Sequence, residues 1–200
     1  MSRRLRLIPH LLALSVLGLH GQSDPWAESY RLEGLKDFRQ AAQVIAPFTA
    51  TNEFAQLRHS YLAYLQGHYD DSYKGYQRAL EMNPLSLDAR LGMTLPLLAQ
   101  QRWTEAAARA RQVLDQCAWN YTAHVRLLVC EDALKQWDVL ARHGQDLARR
   151  YPSDATALVY WARGEDHLGN QEGAGRAYQR VLQLYPGHKE SLDYLNRPKK

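Results

Sequence analysis

Eight histidines, at 10, 20, 59, 68, 124, 143, 167 and 188, are the side chains best suited to hold a metal or move a proton near neutral pH. Their spacing supports neither role. No two stand four apart and no HExxH occurs, so zinc ligation from one helix has no support. The one compact polar cluster is Glu165-Asp166-His167. Consecutive helical residues point in different directions, so the cluster reads as a solvated or ligand-facing strip rather than a base with its orienting groups. "GNQEGAG" (169–175) loosely suggests a phosphate loop, but it follows a helical run rather than a strand and lacks the lysine. Ser15 and Ser86 lack a nucleophile-elbow context. Cys117 is expected at the end of one helix and Cys130 in the third turn of the next, roughly 13 Å of rise beyond its start. That geometry is poor for a bridge, so both read as buried free thiols. The sequence predicts no catalytic residue, no metal and no cofactor.

The chemistry is therefore sought in surfaces. The 200 residues are 46% hydrophobic and 10% aromatic, enough to bury a core. The formal charge is +4, with Arg3, Arg4 and Arg6 among the first 21 residues, which hold no acid; beyond them the excess is a single charge. The basicity gives little support to a nucleic-acid partner. The same stretch, 1–21, has a basic start and an apolar run from Leu7 to Leu19 broken by Pro9 and His10. The run is short for a membrane span and suits a signal peptide, which predicts export to the periplasm or beyond. An uncleaved N-terminal anchor is the alternative.

Behind this segment the chain repeats itself. Gly67, Tyr76-Gln77-Arg78 and Pro84 recur 102 residues later as Gly169, Tyr178-Gln179-Arg180 and Pro186. A third of that distance also holds. Tyr69, Trp103, Trp137 and Gln171 put an aromatic at three of four positions, and Ala79, Val113, Leu147 and Val181 keep one register apolar. Pro84, Pro152 and Pro186 close three of four units. Thirty-four residues is the spacing of a helix–turn–helix repeat. "AQLRHSYLAYLQ", "ARLGMTLPLLAQ", "AHVRLLVCEDAL" and "ALVYWARGEDHL" read as first helices. Each is followed by a short joint and a second helix, with Thr104, Asp138 and Asp70 or Asp71 expected as N-caps. The recurring aromatics are expected to pack one helix on another.

These residues resemble the tetratricopeptide repeat family over four units, 53–86, 87–120, 121–154 and 155–188. Repeat position 8 holds Ser60, Thr94, Leu128 and Ala162; position 20 holds Ser72, Ala106, Leu140 and Ala174; position 24 is aromatic at Tyr76 and Tyr178. The third repeat departs most, with Leu128, Leu140 and Gly144. A degenerate helical pair is expected over 22–52, starting at Ser23 or Asp24 with Pro25 in the first turn. A capping helix and polar tail are expected over 189–200. The resemblance implies an all-α, right-handed α-solenoid of about eleven helices.

It also implies where a partner would sit. In that family, first-helix positions line a concave face that holds peptides. Carried over, they are Phe54, Leu57, Tyr61 and Tyr64; Leu91, Leu95 and Leu98; Val125, Val129 and Asp132; and Val159, Arg163, Asp166 and His167. The lysines and asparagines with which one branch clamps a terminal carboxylate are absent from positions 5 and 9. The face would be apolar and aromatic at its N-terminal end and polar at the other, suited to an amphipathic or apolar segment of a protein partner. The sequence therefore predicts a non-enzymatic adaptor or scaffold, with a self-associating subunit of a membrane-associated complex as the alternative. Whether the face is open or filled as core stays undecided at this level.

Overall fold

The computed structural model describes residues 24–197, so the expected export segment and the last three residues of the tail lie outside it. The described residues form eleven α-helices and no strand: α1 (Pro25–Gly34), α2 (Phe38–Ile45), α3 (Glu53–Leu65), α4 (Tyr69–Met82), α5 (Leu87–Ala99), α6 (Trp103–Gln116), α7 (Tyr121–Ala133), α8 (Trp137–Arg150), α9 (Ala155–His167), α10 (Gln171–Leu184) and α11 (Lys189–Leu195). A 3-10 turn, Ala46–Phe48, continues α2.

The helices alternate between two rows. First helices α3, α5, α7 and α9 touch one another in succession, whereas second helices α4, α6, α8 and α10 pack against first helices. The row whose members touch lies on the inside of the curve, so the first helices form the inner face of an α-solenoid.

Each first helix ends in the same way. Gly67, Gln101, Lys135 and Gly169 adopt positive φ, between 57° and 79°. The amide of the next residue then donates back to the third carbonyl from the helix end: His68 to Ala63, Arg102 to Leu97, Gln136 to Glu131, Asn170 to Glu165. This reversal leads straight into the second helix. Those helices begin at Tyr69, Trp103 and Trp137, so the caps are His68, Arg102 and Gln136, none of which caps with its side chain. Thr104, Asp138, Asp70 and Asp71 lie in the first turn instead of at the cap. Among the second helices of the repeats only α10 has a side-chain cap, Asn170, whereas every first helix of the repeats has one. Asn52, Ser86, Asn120 and Asp154, spaced by 34, accept from the backbone amides of Ala55, Ala89, Ala123 and Thr156, and His188 does the same for Ser191 at the start of α11.

The core runs between the rows. Ser60, Thr94, Leu128 and Ala162 are buried, as are Ser72, Ala106, Leu140 and Ala174 and the register from Ala79 to Val181. The third repeat accommodates its larger leucines through close backbone approach. A Cβ on Gly144 would lie 2.6 Å from the Trp161 nitrogen, and one on Gly164 would lie 2.6 Å from the Ala141 nitrogen. Conversely, Tyr76 is buried because its ring fills the space over Gly92, where a Cβ would come within 2.1 Å of it.

The ends are tied by charge. Arg58 of α3 donates to Ser29 Oγ at 2.8 Å and pairs with Glu33 at 2.9 Å, with its guanidinium 3.5 Å from the centre of the Tyr30 ring, which fixes α1 on the array. Arg163 of α9 joins Asp132 of α7 to Glu190 of α11.

Candidate partner-binding groove

The residues singled out for chemistry fall into structural roles. Glu165 accepts from Trp161 Nε1 at 2.9 Å and from the Asn170 side chain, Asp166 pairs with Arg197 at 3.0 Å, and His167 stacks on Trp137 with ring centres 3.8 Å apart. The three neighbours point three ways. "GNQEGAG" is the start of α10, whose Asn170 side chain accepts from the Gly173 amide at 3.0 Å. Ser86 caps α5. Cys117 and Cys130 are free; Cys117 is only half-buried, while burial pushes the Cys130 thiol up to about 11. The aromatics at the start of the second helices are half-buried and lie against the ends of neighbouring first helices: Tyr69 packs on Tyr64, and Trp137 on His167.

One constellation has no counterpart in the sequence reading. Glu131, 2% exposed, accepts at His143 Nδ1 across 2.8 Å; His143 Nε2 lies 2.9 Å from His124 Nδ1; and His124 Nε2 is 2.9 Å from the Ala118 carbonyl. The members come from α7, α8 and the α6–α7 loop. Spacing along one helix could not reveal them.

The expected groove residues lie on the first helices. Leu57, Tyr61, Tyr64, Leu91, Leu95, Leu98, Val125 and Val129 are each half-buried. That exposure is low enough to be sheltered and high enough to be reached. Tyr61 and Tyr64 stack with centres 6.2 Å apart. Phe54 is 51% exposed and leans on Trp26, which also touches Phe48, so an aromatic knob stands at the N-terminal end of the row. Leu98 also packs against the buried cluster of Leu97, Ala106 and Leu127, so it supports the core. Val159 is 8% exposed and belongs to the C-terminal core, because the close approach at Gly144 and Gly164 draws α8 and α9 together. The polar end is paired internally: Asp132 with Arg163, Arg163 with Glu190, Asp166 with Arg197, and His167 with the Trp137 ring.

Arg126 is a charged residue among these half-buried apolar positions that sequence reasoning did not single out. It stands on α7 between Val125 and Val129 and reaches back to α5, donating to the Leu91 carbonyl and to Thr94 Oγ1 at 2.6 Å. Pro96 inside α5 has no amide to offer the carbonyl four residues back, and Thr94 Oγ1 donates to Leu91 O at 2.7 Å in the turn just before it. Burial lowers the pKa of the Arg126 guanidinium, with Tyr76 and Tyr64 acting in the opposite sense. A charge inside the apolar run "AHVRLLVC" was the available signal.

No family model matches the chain, and no curated protein sequence matches it. Solved structures do. YrrB, described as a tetratricopeptide-repeat protein with an unusual peptide-binding site, superposes with a TM-score of 0.71 at 12% identity, over 86% of this chain and 91% of that one. The chain has the tetratricopeptide-repeat fold. MamA from Desulfovibrio magneticus gives a TM-score of 0.73 at 12% identity, over 82% of this chain and 95% of that one. PilW, described as a widely conserved type IV pilus biogenesis factor, gives 0.71 at 17% identity, over 85% and 80%. At these identities the likeness is one of fold. Among the described residues no helix is long and apolar enough to cross a membrane.

Proposed function

We propose that the protein is a non-enzymatic adaptor that holds an apolar or amphipathic segment of a protein partner along the inner face formed by α3, α5 and α7. The observation that carries this reading is the row of half-buried apolar side chains from Leu57 to Val129 on helices that contact one another along that face. Such a row offers a partner segment both apolar area and exclusion of water. The peptide-binding site named for YrrB, on the same fold, supports the reading.

Location in the cell envelope rests on the basic and then apolar pattern of residues 3–19, and the pilus biogenesis factor of like fold agrees with it. Loss of about twenty residues from the native start on expression, read by intact mass, tests export. Binding is tested with peptides selected from a random displayed library. Leu95→Asp should abolish their binding while leaving the circular-dichroism spectrum intact. Unchanged binding in Leu95→Asp would overturn the groove assignment. A wild-type mass that doubles with concentration, with no peptide selected, would favour self-association through this face.

A further inference from the structure

Arg126 is in an unusual electrostatic position for a residue on an apolar face. It makes no ion pair among the described residues, although eleven ion pairs form elsewhere in them. Only NH1 is engaged, by Leu91 O and Thr94 Oγ1; Nε and NH2 have no partner among the described residues. No acid of α5 or α7 pairs with it. Glu131 of α7 is held by His143 and Asp132 of α7 by Arg163, while Asp88, at the exposed start of α5, forms no ion pair. A half-buried guanidinium without a counter-ion leaves two donors, Nε and NH2, in fork geometry for an incoming carboxylate.

We infer that the partner segment carries an acidic side chain, Asp or Glu, within an apolar stretch, and that its carboxylate docks on Nε and NH2 of Arg126. This rests on the groove reading above and adds a specificity determinant to it. The carboxylate is assigned to a side chain rather than a chain end because the Arg126 guanidinium reaches back from α7 to α5, inside the row, and leaves Val125 and Val129 of α7 beyond it. Tyr61 and Tyr64 of α3 and Leu91 and Leu95 of α5 lie to one side, so a chain ending at Arg126 would cover only part of the face.

The test is selection from a random dodecapeptide library fused through its C-terminus, and so without free carboxylate ends, against the wild type, Arg126→Lys and Arg126→Gln. Arg126→Gln keeps a donor for Leu91 O, and Arg126→Lys keeps the charge. Wild type and Arg126→Lys should enrich apolar peptides with one recurrent Asp or Glu, and Arg126→Gln should enrich apolar peptides without it. A synthetic peptide with that acid should bind wild type about tenfold more tightly than its amide counterpart, with the preference lost in Arg126→Gln. Apolar enrichment without an acid in the wild type, or an acid retained in Arg126→Gln, overturns the inference while leaving the groove reading intact. Enrichment only from a second library with free C-termini would assign Arg126 to a terminal carboxylate and overturn the side-chain assignment. No apolar enrichment from either library would overturn the groove reading, and this inference with it.

Discussion

His143 Nε2 lies 2.9 Å from His124 Nδ1, and the direction of that hydrogen bond is set by its two ends. The Ala118 carbonyl can only accept, so His124 carries its proton on Nε2 and offers a bare Nδ1 to the Nε2–H of His143. Protonating His124 would set N–H against N–H. Burial pushes the His124 pKa below the ordinary 6.5, with His143 acting in the same sense and the Ala118 carbonyl and Glu131 opposing. Between the lowered folded value and 6.5 the unfolded chain binds more protons, so stability is full above about pH 6.5 and falls as the pH drops. Melting curves from pH 7.5 to 5 should show this loss in wild type and a smaller one in His124→Gln. His59, lowered by burial and by Arg78, contributes in the same direction in both proteins.

The joints carry a correctable strain. Gln101 and Lys135 hold φ of 58° and 57° at positions where the first and fourth repeats use Gly67 and Gly169. Left-handed backbone costs an L-residue about 1–2 kcal/mol, less what glycine loses in chain entropy. Gln101→Gly and Lys135→Gly should each stabilise the fold by about 0.5–1 kcal/mol in urea titrations.

Gly144 is expected to tolerate no side chain. Its Cβ would meet backbone atoms of Trp161 at 2.6 and 2.8 Å, which cannot swing away as a side-chain tip would. Gly144→Ala should cost about 2–3 kcal/mol and separate α8 from α9. Gly175, with open space at its Cβ, serves as the control, and Gly175→Ala should be neutral or slightly stabilising.

The period, the order of helices and the apolar first-helix positions were legible because each depends on residues of one repeat compared with the next. Asn52, Ser86, Asn120 and Asp154 show the same regularity and were equally available. Thr104 and Asp138 point to second-helix starts that fall too late, because the reversal at Gln101 and Lys135, and not a capping side chain, sets where α6 and α8 begin. Arg126, Val159 and the His124–His143–Glu131 chain were not legible. Their roles are set by contacts between helices, 12 to 35 residues apart in the chain, which no single-helix spacing encodes. The pairing of Arg163 was hidden for the same reason.

The C-terminal cap depends on Arg163, whose Nε and NH2 meet Glu190 at 2.8 and 2.7 Å while NH1 meets Asp132. Tyr178 adds a hydroxyl donated to Glu190 at 2.8 Å. Arg163 holds the Glu190 carboxyl below the usual carboxylate range. Glu190→Gln should cost about 1–2 kcal/mol, with faster amide exchange confined to α11 and the end of α10.

The most direct measurement is chemical-shift mapping of isotope-labelled protein titrated with a selected peptide. The account predicts shifts concentrated on Tyr61, Tyr64, Leu91, Leu95 and Val129 of the first helices. Shifts concentrated instead on the outer residues of α4, α6 and α8, with the inner row unmoved, would contradict it.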